Sequence, residues 1–273
     1  MPSHEINSNG LTQKLRLNLS QYTHIDWLAQ TGSTNADLMA QPRQTIGSSQ
    51  LLGADLQIAG RGRAGRAWHN TAGQSLTFSC GFETALVPTE LTGLSLALGV
   101  GACEALRALC TTTWVNRLKL KWPNDLMLDD GKLAGILVET QISHQRVRIV
   151  VGIGINLSHA GTLSRNLGRQ VAAWESLQSI NEQNLSDIVC AIATAWHRIV
   201  FGYAQATFKS YVTPFAHLDY LSQQPVLVMH NDRCLIEGIA TGVNLKGALT
   251  VTHDQGVEHV TIGDVSIRLN PKG

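Results

Sequence analysis

The chain has 273 residues, is 44% hydrophobic and 15% charged, and carries a formal net charge of +1 at pH 7. That length accommodates one sizeable core and a small second unit. The near-neutral balance argues against a dedicated nucleic-acid binder, whose basic excess is normally large. Cys80, Cys103, Cys110, Cys190 and Cys234 are odd in number and form no C-x-x-C pair. They read as buried free thiols of a reducing, cytoplasmic compartment rather than a disulfide framework or zinc ribbon.

The N-terminus has neither the basic nor the apolar region of a signal peptide. Residues 1–20 hold one short helix at most, too little for a helix-turn-helix domain, so DNA binding is not expected. His24–Leu28 reads as a short strand, and Ser33-Thr34-Asn35 offers capping side chains to a helix over Ala36–Ala40. Leu51–Ile58 is a strand that runs straight into Gly60–Arg66, and Gln74–Phe82 is another. Leu91, Leu94, Leu98, Ala102, Ala105 and Leu109 recur at helical spacing and predict a helix over Glu90–Leu109. The longest uncharged apolar stretch, Leu91–Cys103, is too short to span a bilayer. Leu118–Trp122, Leu133–Ile142 and Val147–Leu157 read as strands, the last two joined by a hairpin tip at Ser143–Gln145. Leu185, Ile188, Val189, Ile192, Trp196, Ile199 and Val200 line one face of a long helix. Beyond Gln223–Pro225 come strand-like runs at Val226–Met229, Cys234–Thr241, Leu249–Thr252 and Val257–Leu269. The turns His230–Asp232, Asn244–Gly247 and Asp254–Gly256 separate them, which predicts a small barrel.

Gly60, Gly62 and Gly65 follow a strand in a G-x-G-x-x-G pattern, but Ala67–Gly73 is a poor helix start, so a dinucleotide-binding fingerprint lacks its context. Gly60 and Gly65 also have P-loop spacing, yet Arg66 and Ala67 stand where that motif needs Lys and Ser or Thr. What the run supplies is Arg61, Arg63 and Arg66 on a freely bending backbone, suited to carboxylate or phosphate oxygens. The plainer alternative is a solvated loop. In Lys119–Asp125, Pro123 ends the strand, and Asn124 and Asp125 project from its end as a site corner or an ordinary turn. Lys132 opens an apolar strand in which Gly135 marks a bulge or something packed against the backbone. Gly152-Ile-Gly-Ile-Asn156 repeats that theme and ends in an amide that binds a ligand or caps a turn.

Taken together, these segments resemble the bacterial biotin–protein ligases. Gly60–Arg66, Lys121–Asp125, Lys132–Glu139 and Gly152–Asn156 stand in the order and at the approximate spacings of that family's signatures, with Gln57 and Ser33-Thr34-Asn35 at further matching positions. The resemblance is strongest over residues 30–160. It implies an α+β fold: a class II synthetase-like catalytic domain over residues 1–222, with residues 1–20 as a short extension. That domain would have a mixed, mainly antiparallel sheet with packed helices, and residues 223–273 would form an SH3-like β-barrel. It implies formation of biotinyl-5′-AMP from biotin and ATP, with Mg²⁺, and transfer of biotin to a lysine of the biotin carboxyl carrier protein of acetyl-CoA carboxylase. No DNA or membrane partner is implied, and a homodimer through sheet edges is open to such a protein.

By the same resemblance, Lys132, Arg63 and Asp125 are the catalytic residues. Biotin falls to Ser33, Thr34, Asn35, Gln57, Arg61, Gly62, Arg63, Lys132 and Gly135. ATP and the adenylate fall to Arg63, Arg66, Trp68, Asn124, Asp125, Lys132 and Asn156, and no residue is assigned to a metal. Lys246 and Arg268 are weaker candidates in the C-terminal unit. Ala64 departs from the family pattern, which often has consecutive arginines there, so one charge is missing. Residues 60–66 are expected to be mobile without ligand and to order over it. The alternatives are a lipoate–protein ligase of the same fold, a dinucleotide-binding oxidoreductase, and a non-catalytic binding module.

Overall fold

Strand β3 (Ser75–Thr84) is buried at every position, because it is covered on both faces. The computed structural model describes residues 8–143, 146–177, 182–231, 233–263 and 265–270. The remaining elements before residue 220 are α1 (Ser8–Asn18), β1 (His24–Thr31), α2 (Thr34–Ala40), β2 (Ser49–Gln57), α3 (Leu94–Leu109), α4 (Thr112–Val115), β4 (Leu118–Lys121), β5 (Asp125–Leu128), β6 (Gly131–Ser143), β7 (Arg146–Asn156), α5 (Ala160–Leu167), α6 (Glu182–Ala206) and α7 (Val212–Leu218). The strands form one seven-stranded sheet in the order β1-β2-β3-β7-β6-β5-β4. Only β1 and β2 pair in parallel, joined across α2; the other pairings are antiparallel.

Two-residue alternation divides this sheet into two unlike faces. On β3, Leu76, Phe78, Cys80 and Phe82 belong to the main core, where Phe78 meets the Trp196 ring of α6 at 5.8 Å and Phe82 packs on His197 and Phe201. On β7, Val147, Ile149, Val151, Ile153 and Ile155 join the same core. The opposite face of β7 reads Arg148, Val150, Gly152, Gly154, Asn156, and only Val150 packs in an apolar cluster, with Leu38 and Leu52. Helix α2 lies over this second face. The buried Arg148 donates to Leu38 O, Gln41 O and Pro42 O, and its ion pair with buried Glu83 is 2.6 Å long. Arg148 thus collects the carbonyls that the C-terminus of α2 leaves unpaired, while Ser33 caps the N-terminus by accepting from Ala36 N.

The expected strands and the long helix are present, with some differences. The helix expected over Glu90–Leu109 begins at Leu94, because Gly93 sits at φ +78° and separates it from a 3₁₀ turn at Pro88–Leu91. Strand β5 follows directly on Asn124, so the corner at Pro123 is a hairpin turn between β4 and β5 rather than the end of the sheet. Helices α4, α5 and α7 were not expected from the sequence. The hairpin between β6 and β7 is as expected, but its tip residues His144 and Gln145 lie outside the described residues, as does Asp232 of the turn expected at His230–Asp232. Helix α6 is long and apolar enough to cross a membrane by length and composition, yet 56% of that apolar window is buried. Its Ile188, Val189, Ile192 and Trp196 lie in the main core, as in a core helix. All five cysteines are free; Cys80 and Cys103 are buried as expected, but Cys110 and Cys190 are half-buried and Cys234 is exposed.

The C-terminal strands β8 (Pro225–His230), β9 (Arg233–Val243), β10 (Leu249–His253), β11 (Gly256–Val260) and β12 (Val265–Leu269) form a second, antiparallel sheet in the order β11-β10-β9-β8-β12. The run expected as one strand over Val257–Leu269 is therefore two, placed on opposite edges. Val226, Val228, Ala240 and Leu249 of this sheet belong to the same core as the large sheet. Trp122 Nε1 donates across to Gly247 O at 3.0 Å, in the expected turn at Asn244–Gly247.

Between α7 and β8, Asp219 pairs with Leu120 in an isolated bridge, and its Oδ1 accepts from Leu221 N at 2.8 Å. Burial pushes its carboxyl up to about 6, against the smaller opposing effects of the Leu221 hydrogen bond and Lys119. The folded form therefore holds this proton more tightly than the unfolded chain, so its contribution is complete below about pH 4 and lost as pH rises through about 6. Asp219→Asn should flatten the fall in stability between those values and stabilise the protein at pH 7 by about 2 kcal/mol, read by chemical denaturation across that pH range.

Candidate active site

The second face of the large sheet opens into a cleft of about 1190 Å³. Its floor is made of glycine. Gly135 and Gly154 are cross-strand partners on β6 and β7, and Gly152 stands opposite both Leu137 and Ser79. A Cβ on Gly154 would lie 2.2 Å from the Trp68 indole, and one on Gly152 would lie 2.2 Å from Asn35 Oδ1. A Cβ on Gly135 would meet Lys132 Nζ at 3.1 Å and Trp68 at 3.3 Å. The glycines noted in these strands thus let other groups approach the backbone, as one of the two sequence readings of Gly135 had it.

Lys132 reaches the cleft because β6 bulges. Leu126 pairs with Ala134 but Met127 pairs with Lys132, leaving Leu133 unmatched and turning Lys132 onto the glycine side. Its Nζ lies 2.6 Å from Asp125 Oδ1 and 5.8 Å from the centre of the Trp68 ring. Its main-chain oxygen accepts from Asn156 Nδ2 at 3.1 Å. Asn156 therefore supports Lys132 from behind; it lines a small adjoining pocket with Trp68, Lys132 and Arg169 rather than the main cleft.

The Gly60–Arg66 run folds back over the cleft mouth. Gly62 N donates to Arg66 O, Arg61 bridges Ala67, and Trp68 N donates to Gly60 O. Ala64 holds the left-handed conformation at φ 53° without a glycine, next to Gly65 at φ 68°. Arg63 donates from Nη1 to Asn124 Oδ1 at 3.3 Å and from Nη2 to Gly263 O at 2.6 Å, tying the run to the turn between β4 and β5 and to the connection between β11 and β12. Asn124 is fixed in turn by its Nδ2 bond to Ile136 O at 2.6 Å.

Ser33, Thr34, Asn35, Gln57, Arg61, Gly62, Arg63, Arg66, Trp68, Asn124, Asp125, Lys132 and Gly135 all line the one cleft. Arg268 joins them from β12, and Lys246 does not. Sequence reasoning missed Ser79, Lys121 and Arg169, also lining residues. Lys121 was visible in its motif but not singled out; Ser79 and Arg169 carry no local signal. The cleft is electrically lopsided. Its uncharged end, at α2, β2 and β3, offers Ser33, Thr34, Gln57 and Ser79. Its other end gathers Arg61, Arg63, Arg66, Lys121, Lys132, Arg169 and Arg268 against Asp125, the one carboxylate among the described lining residues. Burial pushes the Lys121 amine down; Asp125 opposes this, while Lys132 and Arg169 add to it. Such a site accepts an elongated ligand with a neutral hydrogen-bonding head and an anionic tail next to phosphates.

The profile of the biotin/lipoate A/B protein ligase family matches residues 28–156. The bifunctional ligase/repressor BirA of Salmonella typhimurium is 31% identical over 242 residues, which cover 86% of this chain and 72% of that protein. This chain belongs to the biotin/lipoate A/B protein ligase family, in its biotin ligase branch. The biotin–[acetyl-CoA-carboxylase] ligase of Mycobacterium tuberculosis is 39% identical over 143 residues, 52% of each chain. Biotin protein ligase from Aquifex aeolicus, solved in complex with biotin and ATP, superposes with a TM-score of 0.71 at 25% identity, covering 91% of this chain and 100% of that one. The chain spans about half the length of the mycobacterial relative and 65% of Escherichia coli BirA.

For this biotin ligase family member, Gly154→Ala should destabilise the protein by about 1–3 kcal/mol through overpacking against Trp68. The Trp68→Ala background should remove most of that cost. Chemical denaturation of both singles and the double variant measures it, and additive effects would show that the indole does not sit on Gly154.

Proposed function

We propose that this protein adenylates biotin with ATP and transfers the biotinyl group to a lysine of the biotin carboxyl carrier protein of acetyl-CoA carboxylase. The observation that carries the reading is the arrangement around Lys132: an ammonium held by Asp125 beside a glycine floor, in the cationic part of a cleft whose other end is neutral and polar. Ser33, Thr34, Asn35 and Gln57, with Gly135 and the backbone of Arg61–Arg63, hold biotin so that its carboxylate meets Lys132. Arg63, Arg66, Trp68, Asn124 and Asp125 hold ATP, with Asn156 acting through Lys132.

In the first step a biotin carboxylate oxygen attacks the α-phosphorus and pyrophosphate leaves, taking the bridging electron pair. In the second the carrier amine attacks the acyl carbon of the mixed anhydride, loses a proton and expels AMP. Neither step needs an enzyme nucleophile. The protein's task is to place two anions side by side and to stabilise the negative charge gathering on the phosphoryl oxygens, which the fixed cations do. Lys132 and Arg63 act on the reacting oxygens, and Asp125 orients Lys132. Mg²⁺ would enter with ATP, and Asp125, the carboxylate among the described lining residues, would face it. One carboxylate plus substrate phosphates is the usual setting for that ion.

The catalytic unit spans residues 1–222. Residues 223–273 close as an SH3-like barrel, a reading supported by five short antiparallel strands and by register shifts that bend β9 against both neighbours. This unit supplies Arg268 to the cleft. The protein works in the cytoplasm, and its sheet edges are the surfaces on which a homodimer would pair.

Two measurements test the reading. Pyrophosphate release should require both biotin and ATP, lipoate should not replace biotin, and Lys132→Ala should slow release by about 10²–10³-fold with the fold intact by circular dichroism. The loop at Arg61, Arg63 and Arg66 should be cut by trypsin in the free protein and protected by biotin plus ATP; equal cleavage rates would refute closure.

A further inference from the structure

A chain of side-chain hydrogen bonds runs beneath the neutral end of the cleft. Asn35 Nδ2 donates to Glu139 Oε2 at 2.8 Å and, at a longer 3.4 Å, to Leu137 O. Ser79 Oγ donates to Asn35 Oδ1 at 2.6 Å. Thr34 Oγ1 lies 2.6 Å from Ser79 Oγ and 3.1 Å from Gln57 Oε1, and that Gln57 oxygen also accepts from Thr34 N at 2.8 Å. Room for the chain comes from Gly152, whose Cβ would stand 2.2 Å from Asn35 Oδ1 and 2.9 Å from Ser79 Oγ.

We propose that Glu139, on the cleft face of β6 but outside the cleft, is a positioning residue that fixes the hydrogen-bond polarity of the biotin-head pocket through Asn35, Ser79 and Thr34. This rests on reading the cleft as a biotin site. A carboxylate can only accept, so the Asn35 amide must turn its nitrogen to Glu139 and its oxygen to Ser79. Ser79 spends its one proton on that oxygen and can only accept from Thr34. Thr34 then gives its one proton to Ser79 over the 2.6 Å contact rather than to Gln57 Oε1 at 3.1 Å, and faces the pocket with lone pairs. With Gln57 Oε1 held by Thr34 N–H, its amide nitrogen is left as the donor. The pocket thereby offers an acceptor at Thr34 and a donor at Gln57, which suits a ring bearing both N–H and C=O groups. Without the carboxylate only the longer bond to Leu137 O orients the amide, and each hydroxyl downstream can reverse.

The test is a swap at the Glu139–Asn35 contact, read by pyrophosphate release under varied biotin and varied ATP. Glu139→Gln, which can still accept, should raise the KM for biotin about threefold, with kcat and the KM for ATP within about twofold. Asn35→Asp faces two carboxylates and should raise the biotin KM about thirtyfold. In the double variant the amide introduced on β6 donates to the carboxylate introduced on α2, while Ser79 still donates to that same carboxylate. Its KM should therefore fall back close to that of Glu139→Gln alone. A double variant as bad as, or worse than, Asn35→Asp overturns the proposal, as does an equal rise in the KM for ATP.

A ligand-free measurement separates this from the reading of the site. The Asn35 side-chain amide protons, resolved by nuclear magnetic resonance with isotope labelling, should show slow exchange in the wild type and at least about tenfold faster exchange in Glu139→Ala, which removes the acceptor. Unchanged exchange overturns the relay whatever the ligand. Wild-type protein that releases no pyrophosphate with biotin, yet shows this change in exchange, overturns the biotin site instead.

Discussion

One strand face sets the constraint on which the molecule depends. The sequence of alternate residues Arg148, Val150, Gly152, Gly154 and Asn156 on β7 runs beneath α2, then beneath the neutral pocket, then beneath Trp68, and finally behind Lys132. Each position fits what lies over it: a charge for helix carbonyls, an apolar residue for Leu38, two empty places for side chains that descend to the backbone, and an amide for a main-chain oxygen. The same strand's other face is a continuous apolar row in the core. A strand interior with two glycines has lower intrinsic strand propensity. That deficit is offset because the apolar row is buried and because β3 and β6 pair with β7 along its length.

Charge is distributed by distance along this floor. The neutral end is held by α2, whose position is set by the Arg148–Glu83 pair behind it. A buried pair of this kind contributes little net stability, but removing one partner leaves an unpaired buried charge and costs several kcal/mol. The cationic end draws on separate pieces of chain: the Gly60–Arg66 run, β4, β6, the segment after α5, and β12. Their mutual repulsion is relieved by Asp125 and by hydrogen bonds to Asn124 Oδ1 and Gly263 O.

Much of this was legible in the sequence because the site residues lie in short motifs. Strand-interior glycines at 135, 152 and 154 signalled a backbone closely approached, and Ser33-Thr34-Asn35 signalled a helix start. Asn156 was legible as an amide at a strand end, but not that it would serve Lys132 from behind. β5 escaped notice because Asn124 and Asp125 after Pro123 have turn chemistry, and a four-residue strand shows almost no periodicity. Ser79 gave no signal, since a serine in a two-sided buried strand has the same local pattern whether or not a ligand lies above it. Arg169 and Gly263 reach the cleft through tertiary packing alone. The bulge that turns Lys132 depends on its partner strand, so spacing along β6 alone does not reveal it.

Arg63 joins two distant parts of the chain by a 2.6 Å bond to Gly263 O. That carbonyl lies between β11 and β12, the two edge strands of the C-terminal sheet, two residues before Val265 opens the strand that carries Arg268. Nη2 carries a second N–H beside the one this carbonyl takes, so the bond to Gly263 O fixes where the guanidinium lies without exhausting its donors. The Gly60–Arg66 run and the connection between the two edge strands therefore share one hydrogen bond, and the second sheet is part of the wall that sets where Arg63 points.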